Sequence, residues 1–121
     1  MFHDDKPLFQ QVADLISADI LRGTYQPGDQ VSSTNEFAAF YRINPATAGK
    51  GINLLVDQGI LFKKRGIGMF VSEGARAQLL AQEGEEFRTR QVREFVTSAK
   101  ALGMSLSDIQ SVIAREYDHD Q

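Results

Sequence analysis

STNEFAAFYRINPATAGKGINLLVDQG, residues 33–59, holds two helix beginnings with only a tight turn between them. Ser33-Thr34-Asn35-Glu36 is a capping box: the serine hydroxyl accepts a first-turn backbone N–H, and the glutamate carboxylate reaches back to the serine N–H. It predicts a short helix from Thr34 to about Tyr41 with Phe37, Ala38 and Tyr41 on its apolar face. Arg42-Ile43 makes the turn. Asn44 then caps a second helix and Pro45 takes its first position, where the N–H that proline lacks is not needed. This helix is expected to reach Gln58 and stop at Gly59, because Ala48, Ile52, Leu55 and Val56 fall within an arc of about 100°. Ala46, Thr47, Lys50 and Asn53 occupy the opposite face. Leu54 lies off the main arc and is assigned a second packing contact.

Upstream, Phe9, Val12, Ala13, Ile16 and Ile20 form the stripe of an amphipathic helix over Leu8 to Arg22, opened by Pro7 and closed by Gly23. Tyr25 to Asp29 reads as a turn. Downstream, Ile60 to Arg65 and Met69 to Ser72 read as strands joined by Gly66-Ile67-Gly68, a glycine-containing hairpin loop. From Glu73 onward the signals are helical. Val92, Phe95, Val96, Ala99 and Leu102 keep helical spacing in a long helix from about Ala75 to Gly103, weakened in its first half by Gly84. Ser105 to Asp108 caps a last helix bearing Ile109, Val112, Ile113 and Tyr117, with Asp118 to Gln121 expected to fray.

The fold class that follows is mainly α with a small β-hairpin: an N-terminal winged helix-turn-helix over 1–74, then a two-helix C-terminal region over 75–121. With 121 residues there is no room for a large catalytic domain. The chain has no cysteine, which removes thiolate metal sites and disulfides. His3 and His119, the two histidines, lie near opposite ends, and no phosphate loop surrounds Gly66-Ile67-Gly68. Catalytic residues, metal ligands and cofactors are therefore expected to be none. The N-terminus lacks a basic start followed by an apolar run, and no stretch is long and apolar enough to span a bilayer, so a cytoplasmic protein without a membrane partner is expected.

The net charge of −3 disfavours a polyanion partner, but its distribution does not. Between Phe37 and Ser72, Arg42, Lys50, Lys63, Lys64 and Arg65 face the single acid Asp57, a local balance of +4 that leaves −7 for the rest. In a winged helix-turn-helix the second helix of the pair enters the major groove N-terminus first. Asn44 and Thr47 would then reach bases or phosphates, and Lys50 a phosphate one turn on. Lys63-Lys64-Arg65 would lie on a wing whose tip Gly66 and Gly68 keep slim; the plainer reading is a lysine-protected strand edge.

The stretches Pro7 to Val12, Ile20 to Val31, Ser33 to Ala38, and Gly59 to Val71 resemble the GntR family of bacterial regulators, and Asn44-Pro45-Ala46-Thr47 with the short tail is similar to its YtrA-like subgroup. The resemblance implies a DNA-binding transcription regulator, in the main a repressor, acting as a homodimer on a palindromic operator. The DNA-binding set it implies is Ser33, Thr34, Asn35, Asn44, Pro45, Ala46, Thr47, Lys50, Lys63, Lys64, Arg65 and Gly66. The dimerisation set is Val92, Phe95, Val96, Ala99, Leu102, Ile109, Val112 and Ile113. A small-molecule effector between the winged domain and the dimer helices is a further implication that no residue identifies. The alternative is a winged-helix protein-interaction module without DNA binding. Departures from the family pattern are Ser32 for a proline, Asn35 for a DNA-contacting arginine, and Gly49 and Gly51 inside the second helix, where each glycine costs about 1 kcal/mol relative to alanine. The two glycines imply a helix that is looser before DNA binds.

Overall fold

The computed structural model describes residues 2–119. In chain order it contains α1 (Leu8–Leu21), α2 (Thr34–Tyr41), α3 (Pro45–Asp57), β1 (Leu61–Lys64), β2 (Gly68–Val71), α4 (Ala75–Glu86), a π-helical turn (Phe87–Gln91), α5 (Val92–Ala101) and α6 (Leu106–His119). Two compact units divide between Gln82 and Glu83, inside α4.

The capping chemistry read from the sequence is present. Ser33 Oγ accepts from the Glu36 N–H at 3.1 Å, and the Ser33 N–H donates to Glu36 Oε1 at 3.1 Å. The same reciprocal pair opens α6, where Ser105 and Asp108 exchange bonds of 2.9 and 3.1 Å. Hydrogen bonding to Ser33 holds the Glu36 carboxyl below its ordinary value of 4.5, since the charged form accepts the bond. A carboxylate depressed on folding contributes stability that is present above its unfolded pKa and lost as pH falls through the folded one. Acidification from about pH 6 to about pH 3 should therefore lower the melting temperature by more in the native chain than in Glu36→Gln, as read by circular dichroism. Equal shifts would show that the box is not coupled to global stability.

The core of the first unit joins Val12, Ala13, Ile16 and Ile20 of α1 to Phe37 and Ala38 of α2 and to Ala48, Ile52 and Leu55 of α3. Val31, Ile60, Leu61, Val71, Ala75 and Leu79 complete it, so the first half of α4 packs on the winged core. Leu54 and Val56 are partly buried against the same cluster, which supplies the second contact expected for Leu54. Helices α1 and α3 approach closely. A Cβ on Gly51 would lie 2.5 Å from the Phe9 carbonyl oxygen and 2.7 Å from Val12 Cβ. Gly51 thus has a packing reason that the sequence did not reveal, whereas a Cβ on Gly49 would meet only the Thr34 methyl, at 3.4 Å.

The hairpin pairs Leu61 with Val71, Phe62 with Phe70, Lys63 with Met69 and Lys64 with Gly68. Residues 28–31, of which only Gly28 and Asp29 fall in the turn read from the sequence, run beside β2. Gly28 N–H donates to Val71 O at 2.8 Å, Val71 N–H to Asp29 O at 2.9 Å, and Val31 N–H to Met69 O at 2.9 Å. The buried Gln11 was likewise missed. Its side chain accepts from His3 N–H at 2.9 Å and donates to Lys6 O at 2.9 Å, tying the N-terminal segment to α1.

In the C-terminal part, helix persists through Gly84, and the irregularity falls one turn later. Thr89 Oγ1 donates to Glu85 O at 2.9 Å, a back-bond of the kind that strains the regular ladder beside the π turn. Gly103, at φ 79°, closes α5 as expected. Asp118 and His119 still belong to α6; the rest of the stretch expected to fray, 120–121, lies outside the described residues.

Candidate nucleic-acid interface

The start of α3 is built by its cap. Asn44 Oδ1 accepts from the Ala46 N–H at 2.8 Å, and Pro45 occupies the first helical position. Pro45 offers no N–H and that of Ala46 is taken, so the first-turn amide left for an anion is that of Thr47. Asn44, Pro45 and Ala46 are exposed and Thr47 is half-buried. The turn before them needs an unusual backbone: Arg42 closes α2 at φ 57°, the one non-glycine residue at positive φ among those described.

The exposed face of α3 borders an open groove of about 530 Å³ lined by Phe9, Ala46, Gly49, Lys50, Asn53, Leu54 and Asp57. A neighbouring hollow adds Leu8 and Thr47. Lys50 Nζ lies 4.1 Å from the centre of the Phe9 ring, a cation–π contact worth about 0.5–1 kcal/mol at an exposed site. A phosphate would have to draw Lys50 off that ring. At the start of α2, Ser33 Oγ is committed to the cap and half-buried Thr34 faces Gly49, which leaves Asn35 as the exposed member of that trio without a structural task.

On the wing, successive strand residues project to opposite faces, so Lys63 and Lys64 point away from each other. Phe62 and Phe70 stack with ring centres 5.8 Å apart, and Lys64 Nζ sits 4.4 Å from the Phe70 ring. Lys63, Lys64, Arg65 and Gly66 are all exposed. The tip is closed by Ile67 N–H donating to Lys64 O at 2.9 Å, with Gly66 at φ 77°. It is also held from outside the hairpin: Gln30 Nε2 donates to Ile67 O at 3.0 Å. Gly68, at φ 150°, has a backbone that disfavours any other residue, and a Cβ there would lie 2.5 Å from that Nε2 and push the Gln30 amide aside. Gln30 carries no periodicity or motif that would have singled it out in the sequence.

In the second unit, Phe95 and Val92 of α5 are 44% and 38% exposed, and Val112 and Ile113 of α6 36% and 51%. Leu102 is 80% exposed, Val96 is half-buried, and Ala99 and Ile109 are buried within the chain. Large apolar side chains are thus left exposed on helices whose remaining surface is polar.

Residues 8–71 match the family described as bacterial regulatory proteins, gntR family. The chain is 32% identical over 109 residues, 89% of its own length and 88% of the other's, to the uncharacterized HTH-type transcriptional regulator YhcF of Bacillus subtilis (strain 168). It is 29% identical over 108 residues, 88% and 82% of the two lengths, to the HTH-type transcriptional repressor YtrA of the same organism. Among solved structures, it is similar to a GntR family transcriptional regulator from Listeria monocytogenes, with a TM-score of 0.79 and 26% identity over 94% of this chain and 98% of that one. It is also similar to AraR(DBD) in complex with operator ORX1, with a TM-score of 0.56 and 30% identity over 60% of this chain and 93% of that one. With the matched stretch running from the first residue of α1 to the last of β2, the chain belongs to the GntR family of bacterial transcription regulators, in its YtrA-like form, and has the family's winged helix-turn-helix fold.

Proposed function

We propose that this chain is a non-enzymatic repressor that binds a palindromic operator as a homodimer in the cytoplasm. In this reading residues 1–74 form the DNA-binding domain and 75–121 the dimerisation region. The observation that carries it is the exposed, capped start of α3, accompanied in the same unit by a stiffened hairpin bearing Lys63, Lys64 and Arg65. Asn44, Pro45, Ala46 and Thr47 approach base edges, Asn35 and the Thr47 N–H approach the backbone, and Lys50 exchanges Phe9 for a phosphate. Ser33 and Thr34 contribute by holding α2 against α3. Gly66 lets the wing come close. A small-molecule effector remains part of the proposal as the resemblance implies it.

The dimer half of the proposal rests on the apolar residues of α5 and α6. Val92, Phe95, Val96, Leu102, Val112 and Ile113 are covered by the same surface of a second copy, with Ala99 and Ile109 as the buried floor. Phe95→Glu combined with Ile113→Glu should convert a dimer into a monomer in sedimentation velocity, because two carboxylates per subunit would have to be desolvated. The same variant should bind a full operator at least about tenfold more weakly while keeping its helix content, since linked half-sites reinforce each other. DNA binding by the native chain is measured by anisotropy against fragments upstream of its own gene. A Thr47→Ala variant that loses selectivity supports the placement of α3. A native chain that binds neither those fragments nor a random-sequence pool would end the proposal.

A further inference from the structure

The three-residue wing tip, Arg65-Gly66-Ile67, combines features that folding alone does not account for. Ile67 is 64% exposed, an apolar side chain among three exposed cations, and it belongs to no part of the core. Its backbone is nevertheless hydrogen-bonded through both polar groups: the N–H donates to Lys64 O at 2.9 Å, and the carbonyl accepts from Gln30 at 3.0 Å. Gly66 and Gly68 flank it without side chains, so Ile67 is the one apolar side chain of the three-residue tip, presented on a narrow, hydrogen-bonded support.

That shape suits the minor groove, which is about 6 Å wide, while the major groove is left to α3. The minor-groove floor of an A·T pair offers only acceptors and a hydrophobic edge; a G·C pair adds the guanine 2-amino donor. A branched alkyl side chain seated on the floor cannot accept from that donor and would strip it of water, which is costly. Over A·T it covers only acceptors of the kind both pairs carry and strands no donor, so the penalty is smaller, and the stronger negative potential of a narrow groove also draws the neighbouring Lys63 and Arg65.

We propose that Ile67 is a specificity-determining residue that selects A·T over G·C pairs in the minor groove where the wing lands. The inference rests on the DNA-binding reading above. Its test starts from a duplex recovered by selection from a random-sequence pool. Each base pair flanking the α3 half-site is then changed among A·T, G·C and I·C, inosine being guanine without the 2-amino group. Expected are one or two positions at which G·C weakens binding on the order of tenfold and I·C restores it. Ile67→Ala should reduce that ratio to within about twofold, leaving preferences inside the half-site intact. An I·C pair behaving like G·C, no flanking preference in the native chain, or a ratio unchanged in Ile67→Ala would overturn the assignment of Ile67 while the DNA-binding reading stood. Failure to recover any duplex would overturn both.

Discussion

Glutamine at Lys63, Lys64 and Arg65 together is expected to remove the steepest part of the salt dependence of DNA binding. In a homodimer the three side chains amount to six cations. If each meets a phosphate, the slope of log affinity against log salt falls by about 5, and a loss on the order of 10³-fold between about 50 and about 200 mM salt disappears with it. Glutamine is chosen because its stem still covers the Phe62–Phe70 stack on which Lys64 rests, so the hairpin keeps its packing. The single variants should not be equal. Among the described residues Lys63 and Arg65 have no cation–π partner, whereas the Lys64 ammonium gives up its contact with Phe70 on moving to a phosphate, so Lys64→Gln should change the slope least. Anisotropy at several salt concentrations reads all four proteins. An unchanged slope in the triple variant would return these residues to the plainer role of protecting a strand edge.

Gly51→Ala and Gly49→Ala should move stability in opposite directions, although propensity alone predicts that both help. At Gly51 the new methyl would overlap the Phe9 carbonyl and the Val12 side chain, and backbone cannot yield as a flexible side chain does. Overpacking of this kind costs about 1–3 kcal/mol, a fall in melting temperature on the order of 10 °C for a domain of this size. At Gly49 the methyl would only touch Thr34 at an ordinary distance, so the helix-propensity gain of up to about 1 kcal/mol is kept. Thermal unfolding followed at 222 nm, the usual helix band, compares the two. A Gly51→Ala protein as stable as the native one would mean that α1 and α3 are free to move apart.

Those two glycines mark where local reading stops. Ser33, Glu36, Asn44, Pro45 and Gly59 declare their elements because a cap or a helix end is decided within about four residues of chain, and the stripes of α1 and α3 do so because burial follows helical period. The hairpin was legible for the same reason: its glycines supply a turn that few other residues permit. So was the order of elements. The close approach at Gly51, the seat of Lys50 on Phe9, the Gln30 clasp on the wing and the pairing of residues 28–31 with β2 were not legible. Each joins residues far apart in the chain, and a contact of that kind leaves no periodic trace in either partner. By itself the sequence determined the elements and their order, because these depend on neighbours along the chain. The tertiary structure alone decided which interface side chains are already engaged and how firmly the wing is held, because both depend on what another segment brings within a few ångströms.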